Sequence, residues 1–312
     1  MLVATEASGG EIAYGDEAAI AVDPFATLDP SLASPEESAT LADQLRVANE
    51  YFGPAVWRPL KGANLKTAWL PSDDLGFFDL ELAKRWTIPT GLPFSHVAFT
   101  PTAAIHLLDG PTGFGTPDLP EQLYDLSVDI KWLQPLSTEF AFELGITPGV
   151  FTDFEQSSSD AFRMGARAIG FITYSPQTRF VLGLAYLDRD DVNYLPVTGM
   201  VWTPSEDARF ELVFPRPKIA WRRPTFGSSQ EWFYLTGEFG GGSWAVRRES
   251  GADDVANYYD LRLAVGWERT TPLGPKAFVE IGYAFNRRLE FRSPTPIFEP
   301  DNALLLRATV SF

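Results

Sequence analysis

The sequence contains no cysteine, which excludes disulfide bonds and thiolate metal sites. Positive charge is scarce: 25 lysines and arginines stand against 41 aspartates and glutamates, and the net charge is −16. This balance argues against nucleic acid as a partner. No apolar run approaches the roughly 18 residues of a membrane-spanning helix, although 45% of the residues are hydrophobic. Helical membrane proteins and nucleic-acid-binding proteins are therefore not expected.

Alternation of apolar and polar residues is clearest at the end of the chain. The apolar positions there are Leu304, Leu306, Ala308, Val310 and Phe312. Arg307, Thr309 and Ser311 lie between them, and successive side chains of a strand point to opposite faces. One face of this predicted strand is therefore wholly apolar and ends in an aromatic residue.

This closing strand resembles that of bacterial outer-membrane β-barrels, in which a terminal aromatic residue is recognised during insertion. The resemblance implies that Ala308, Val310 and Phe312 form an insertion signal for the barrel-assembly machinery. Residues 187–193 and 212–217 also resemble an uncharacterised family of proposed outer-membrane barrels that carries no assigned chemistry. The resemblance therefore implies a porin-like barrel surrounded by outer-membrane lipid, and it names no solute.

The period of two begins at Leu65 and recurs along the rest of the chain. The clearest strands cover about 65–69, 78–88, 97–107, 124–132 and 140–150. Later strands are less regular: prolines 215 and 217 separate a short strand, 218–223, and a triple glycine at 240–242 predicts a bulge or kink within 230–246. We predict an all-β, antiparallel transmembrane barrel over residues 62–312 with about 14 strands; 12 remain possible, since bacterial barrels favour even numbers.

The lengths of the connections predict the orientation of the barrel. Short, Pro-rich turns alternate with longer acidic loops at about 109–121, 152–160, 188–193, 247–255 and 289–301. In outer-membrane barrels the short turns face the periplasm and the long loops face outward. Only residues 214–230 leave this alternation uncertain.

A soluble sandwich or a propeller would also alternate, and two features argue against them. Aromatic residues lie near predicted strand ends, where a membrane interface requires them: Trp69, Trp86, Trp132, Tyr174, Trp202 and Trp267. Charged residues occupy mid-strand positions on the opposite face, where a packed sandwich would hold few of them. The sequence is therefore typical of a membrane barrel.

Charged residues with matching parity on consecutive strands predict the lining of the lumen. The candidates are Glu81, Arg85, Asp125, Asp129, Glu139, Glu143, Arg163, Arg167, Arg262, Glu280 and Arg307. Charge facing lipid costs about 2–4 kcal/mol at the midplane, so these groups must pair or face water. They form either a structural ion-pair network or the lining of an aqueous path, and both can hold at once.

Neither a metal site nor an enzyme is expected. The acidic loops offer oxygen ligands, but they lack the spacing of a calcium loop, and solvated charge is the better interpretation. His96 and His106 lie ten residues apart on one predicted strand, about 33 Å at about 3.3 Å per residue. His106 with Asp109 or with residues 190–191 would resemble a protease site, but nothing in the sequence holds a nucleophile there. We predict no cofactor.

The first sixty residues form a separate, acidic arm with ten acidic residues against Arg46 and Arg58. The start, Met1-Leu2-Val3, lacks the features of a signal peptide, so we interpret the sequence as a mature chain whose leader has been removed. Disorder is predicted up to about residue 34. A capping box at Ser34-Pro35-Glu36-Glu37 and apolar residues at helical spacing then predict a helix at about 35–52. The arm is either a plug in the lumen or a periplasmic segment that binds an envelope partner.

The sequence thus predicts a passive or gated pore for small solutes or ions, mildly favouring cations because of its acidic rim. The alternative is a non-conducting structural or adhesive barrel whose loops or arm bind a partner.

Overall fold

The computed structural model describes residues 62–92, 95–111, 116–155, 159–224, 229–271 and 275–312. The predicted arm of residues 1–60, including its helix at about 35–52, lies outside the described residues. Within the described ranges, no helix has the length and apolarity needed to cross a membrane. Strands make up nearly all of the regular structure there.

The strand bounds follow the alternating segments of the sequence. In chain order they are β1 (Ala63–Leu70), β2 (Gly76–Lys84), β3 (Trp86–Pro89), β4 (His96–Asp109), β5 (Gln122–Pro135), β6 (Phe140–Thr152), β7 (Phe162–Ser175), β8 (Thr178–Tyr186), β9 (Tyr194–Ser205), β10 (Ala208–Phe214), β11 (Lys218–Arg223), β12 (Gln230–Arg247), β13 (Asp253–Thr270), β14 (Lys276–Phe291) and β15 (Ala303–Ser311). β11 has the bounds that the two prolines predict.

The sheet closes on itself, because β1 pairs antiparallel with β15 from Asn64↔Ser311 to Trp69↔Leu306. The amide of Phe312 also donates to the carbonyl of Ala63 at 2.9 Å. β2 and β3 pair one after the other with β4, so they are two segments of one barrel strand. The described residues therefore form a closed antiparallel barrel of 14 strands, which confirms the predicted architecture.

The start of β1 and the end of β15 lie beside each other at one end of the barrel, which we call the turn end. We call the opposite end the loop end. The connections at the turn end include 136–139, 176–177 and 206–207, and those at the loop end include 110–121, 187–193 and 292–302. The uncertain stretch after β10 departs from this pattern, since the connection between β10 and β11, residues 215–217, is a short turn at the loop end. The six connections above follow the predicted alternation of short turns and long loops.

The outward face of the wall is apolar and exposed, whereas the inward face is buried. Leu82 is 57% exposed beside Ala83 at 2%, and Leu182 is 67% exposed beside Val181 at 2%. Because side chains alternate across a strand, this difference continues along most of the sheet. The barrel thus presents an apolar band of Leu, Ile, Val and aromatic side chains to its surroundings, as lipid requires.

The loop end is narrower than the turn end. β12 pairs with β11 only as far as Thr236, and beyond it β12 crosses to β6, where Ala245 and Thr152 form a parallel bridge. The amide of Asp153 donates to the carbonyl of Ala245 at 3.2 Å, and the amide of Arg247 donates to the Asp153 carboxylate at 2.7 Å. Strands β7–β11 are therefore left out at the loop end, where the other nine barrel strands close a smaller ring.

The departure of β12 coincides with the triple glycine that the sequence singles out. Gly241 has φ +110°, and a Cβ there would lie 2.0 Å from the carbonyl oxygen of Tyr258. The ladder between β12 and β13 continues through this point with no register shift, so the feature is a kink rather than a bulge. Beyond it, residues 242–246 and 254–258 are buried at every position instead of every second one.

The narrow ring is filled by an apolar core. Its members from the β12–β13 hairpin are Trp244, Val246, Ala256 and Tyr258, and they pack with inward residues of β1, β2, β4, β5, β6, β14 and β15. Phe77 and Tyr258 lie with ring centroids 4.6 Å apart. We call the part of the hairpin from Gly242 to Tyr258 the inner hairpin. It occupies the loop end of the lumen.

Candidate functional site in the lumen

A buried ion cluster joins three neighbouring strands, β5, β6 and β7. Arg167 donates from Nε to Glu143 at 2.7 Å and from Nη1 to Asp129 at 2.6 Å. Lys131 lies 3.6 Å from the same Glu143 carboxylate. All four side chains are buried, and each charge has an opposite charge beside it. The structure thus brings together the residues on these strands that the sequence places on one face.

A second cluster surrounds Glu238 on β12. Its carboxylate lies 2.9 Å from Arg307, 2.9 Å from Arg216 and 3.3 Å from Arg262. Arg307 also reaches Glu280 at 2.5 Å, and Arg262 reaches Asp260 at 2.8 Å. The predicted set of Arg262, Glu280 and Arg307 is therefore linked through a residue that the sequence analysis did not select.

His106 lies between two carboxylates above these clusters. Its Nδ1 is 2.8 Å from Asp79 and its Nε2 is 2.8 Å from Asp125. Asp125 also accepts a hydrogen bond from the indole Nε1 of Trp244 at 2.6 Å, and the His106 and Trp244 rings meet edge to face. The carboxylates near His106 are thus Asp79 and Asp125, not the Asp109 or 190–191 of the protease-like hypothesis. With both ring nitrogens bound to carboxylates, neither one is left to activate a nucleophile.

The remaining predicted lumen residues are less uniform in position. Glu81 is buried and lies 3.6 Å from Lys66, and Arg163 is buried near the loop end of β7. Arg85 lies in the short break between β2 and β3 and is half-buried. Glu139 was expected to line the lumen, but it lies exposed in the turn 136–139 before β6 begins. Its parity matches the inward face, yet the strand does not extend far enough to carry it inside.

Several charged residues of the lumen were not among the predicted ones, and Glu238, Arg216 and Arg287 show why. Glu238 lies on β12, where the glycines interrupt the alternation that would have shown which face points inward. Arg216 lies in the tight turn after β10. Arg287 is buried because a register shift between Tyr259 and Leu261 places it inward, although its parity along β14 is opposite to that of the inward Glu280. A β-bulge inverts the parity of every residue beyond it, and nothing in this sequence marks the bulge.

The predicted interface aromatics divide unequally between the two ends. Trp86, Trp132, Tyr174, Trp202 and Trp267 lie near the turn end of their strands, and Trp69 lies near the loop end. Tyr174 is exposed outward, and Trp202 stacks on Phe210 of the neighbouring strand with centroids 5.1 Å apart. Five of the six aromatic residues predicted for an interface between lipid and water therefore lie near the turn end.

Arginines pair with the acidic loops at the loop end. Arg248, at the tip of the β12–β13 hairpin, binds Asp118 of the 110–121 loop and lies 2.9 Å from Asp254. Arg292 lies 2.7 Å from Asp160 and 2.8 Å from Asp190. The hydrogen bonds that Arg292 donates to Asp190 and Asp160 raise the pKa of Arg292. Among the described residues, no group of three acidic or histidine side chains is arranged to hold a metal ion.

Comparisons with known proteins add little beyond the fold. No protein-family model matches the chain, and no curated protein is similar to it in sequence. Among solved structures, the chain is similar to a KdgM porin (9% identity, TM-score 0.35) and to LpxR from Salmonella typhimurium (9% identity, TM-score 0.36). Each comparison covers 80% of this chain and 99% of the other. By its closure, its apolar outward band and its charged interior, the chain is a 14-stranded β-barrel of the outer-membrane type.

Proposed function

We propose that the protein is a gated pore for small solutes or ions in the bacterial outer membrane. Its turn end faces the periplasm, and its gate is the inner hairpin. The observation that supports this proposal most directly is the change in β12 at Gly241, where the strand leaves the wall and its end bridges to β6.

The polar contacts that hold the inner hairpin across the lumen lie at its end, where a gate can exchange them for contacts with water. A single parallel bridge, Ala245↔Thr152, joins β12 to β6 in the described residues. The hydrogen bond from Trp244 to Asp125, and the bonds from Arg248 and the Glu249 amide to Asp118, tie this hairpin to β5 and its loop. Breaking these contacts would let the hairpin move away from β6, toward the side of the barrel on which β11 lies, and this movement would open the narrow ring.

The charges of the lumen bear on which ions would pass. The acidic rim predicted a mild preference for cations, but Asp118, Asp160 and Asp190 are bound to arginines. Three guanidinium groups converge on Glu238 inside the barrel. We therefore propose that the open pore favours anions.

A disulfide across the gate tests this function, and the absence of native cysteine makes the experiment clean. The double variant Thr152→Cys, Ala245→Cys places two thiols at a bridge between β6 and β12. We expect channel events from the wild type in planar bilayers, silence from the oxidised variant, and recovery after reduction. The reversal potential in a salt gradient reports the ion preference.

A matched control keeps the cross-link within the hairpin wall. Leu235→Cys, Val265→Cys joins two outward-facing partners of β12 and β13 on the wide side of the kink. It should conduct under both redox conditions. If the reduced gate variant and the wild type are both silent while heat-modifiable migration shows that they are folded, the pore is contradicted. That result would favour the non-conducting structural barrel, which the apolar core at the loop end also supports.

We also propose that β15 directs assembly of the barrel. The Ala308, Val310 and Phe312 set lies on the strand that closes the sheet against β1. Phe312→Ala should lower the amount of assembled barrel in outer-membrane fractions, whereas Ser311→Ala should not. Equal assembly of both variants would argue against this signal.

A further inference from the structure

A cavity of about 140 Å³ lies in the lumen beside the apolar core of the loop end. Its walls include His106, Trp244 and Tyr258, and the inner hairpin forms one side of it. Six cationic side chains line it against four carboxylates. The cations are Lys66, Arg163, Arg189, Arg216, Arg262 and Arg307. In a chain with net charge −16, this is a local reversal of sign.

The four carboxylates of the cavity are already engaged. Asp79 and Asp125 bind the two nitrogens of His106. Glu81 lies beside Lys66, and Glu238 is shared by three arginines. A guanidinium has five N–H donors, so the donors around Glu238 outnumber the oxygens that can accept from them.

Arg163 is the clearest case of this excess of hydrogen-bond donors over acceptors. Its side chain is only 7% exposed, and its Nη1 donates to the carbonyl of Asp188 at 2.7 Å. Its Nε and Nη2 are buried, and no atom of the described residues accepts a hydrogen bond from either of them. The nearby Asp188 carboxylate accepts from the Met164 amide at 2.7 Å and from the Tyr186 hydroxyl at 2.9 Å, and it makes no hydrogen bond to these two nitrogens.

Arg189 does not share this imbalance, although it lines the same cavity. It binds Asp191 through two nitrogens, at 2.9 and 2.7 Å, and donates to the carbonyl of Tyr258 at 3.0 Å. A buried guanidinium with two idle donors is costly, and buried charge in proteins is normally paired. An acceptor from outside the chain would complete the site at Arg163.

We infer that this cavity is a binding site for a small oxyanion, a phosphate or carboxylate group, with Arg163 as its principal ligand. Guanidinium forks match the paired oxygens of both groups. A cavity of about 150 Å³ accepts a molecule the size of benzene, so the space suits inorganic phosphate or a short carboxylate. This inference concerns equilibrium binding and stands whether or not the barrel conducts.

The test is calorimetric titration of the full-length, detergent-solubilised barrel with inorganic phosphate and, separately, with acetate, against sodium chloride at matched ionic strength. We expect saturable binding of at least one oxyanion to the wild type and a tenfold or greater loss of affinity in Arg163→Gln. Arg223→Gln removes an exposed arginine at the turn end, away from this cavity, and should bind as the wild type does.

Absence of saturable binding to the wild type would overturn the inference, as would equal affinity of the Arg163→Gln variant. If that variant does not fold, as judged by heat-modifiable migration, Arg216→Gln replaces it and is expected to weaken binding several-fold. Unchanged affinity there, with an unfolded Arg163→Gln, would move the site away from this cavity and overturn the inference. A barrel that binds phosphate but never conducts would contradict the pore alone.

Discussion

The two ends of this barrel use the same strands in different ways. Around Glu238 and Arg262, β12 and β13 alternate between a lipid-facing apolar residue and an inward polar one. Beyond Gly241 the same two strands are buried on both faces and contribute to an apolar core. The wide part of the barrel is therefore built as a membrane protein, and the narrow part is built as the interior of a soluble one.

This difference shows what holds each part together. The wide part has a charged interior in which the charges are paired, as around Arg167 and Glu238. The pairing is needed because an unpaired charge that is buried away from water is costly. The narrow part excludes water by packing Trp244 and its neighbours. Substitutions in the two parts should therefore differ in which region they destabilise.

The largest effect is expected in the wide part, from Arg167→Met. The substitution leaves Asp129 and Glu143 buried with fewer partners, and breaking a buried ion network in this way costs roughly 3–5 kcal/mol. The free energy of unfolding, measured by urea titration of the barrel in lipid vesicles, should fall by this amount. Arg292→Met, at an exposed ion pair, should change it by no more than about 1 kcal/mol. Equal losses would show that burial does not govern these pairs.

The next effect is expected at the boundary between the two parts, from Gly241→Ala. The added Cβ would meet the carbonyl of Tyr258 at a backbone conformation that costs about 1–3 kcal/mol for a non-glycine residue. We expect faster hydrogen exchange in the inner hairpin and unchanged exchange in β5–β7. Gly251→Ala, at the tip of the same hairpin, has a similar positive φ but no atom within 4 Å of the new Cβ, so it separates the clash from the backbone strain. Identical behaviour of both variants would remove the clash as the cause.

A smaller effect is expected within the narrow part, from Trp244→Phe. The ring still fills the apolar core, but the hydrogen bond to Asp125 is lost, at a cost of about 2 kcal/mol for a bond to a charged group. Hydrogen exchange of residues 242–246 should quicken about 30-fold if this bond holds the hairpin in place, by the usual tenfold per 1.4 kcal/mol. No change would mean that packing alone positions the hairpin.

The wide part was largely predictable from the sequence, because each of its strands has one lipid face and one inner face. The period of two that placed Asp129, Glu143 and Arg167 on one side also placed them within hydrogen-bond distance. The same reasoning assigned the closing strand and the 14-strand count. Where one face of a strand meets lipid and the other a polar lumen, the odd or even position of a residue is sufficient to predict which face it lies on.

The narrow part was not predictable in this way. Residues buried on both faces give no alternation, so the strand 230–246 offered no face on which to place Glu238 or Trp244. Triple glycine indicated a kink, but it did not indicate that β12 would reach β6 across five strands. Arg287 required knowledge of a bulge, and His106 required knowledge of which carboxylates the closed sheet would bring beside it.

The smallest effect is expected at the loops, where acid should loosen the hairpin tip. Asp118 accepts hydrogen bonds from Arg248 Nε at 2.7 Å and from the Glu249 amide at 2.6 Å, and these lower its pKa below the ordinary 3.8. A carboxyl with a depressed folded-state pKa contributes its full stability above pH 3.8 and loses it as the pH falls through the folded value. Hydrogen exchange of the hairpin, corrected for its intrinsic pH dependence, should therefore be steady above pH 3.8 and increase below it. Asp118→Asn should reduce that step to the part that Asp254 contributes through the same Arg248, and Asp253→Asn, whose carboxylate binds Arg247 of the same hairpin, should keep it in full. A step of the same size in all three proteins would assign the acid response to other carboxylates and leave the Arg248 contact without a role in holding the gate.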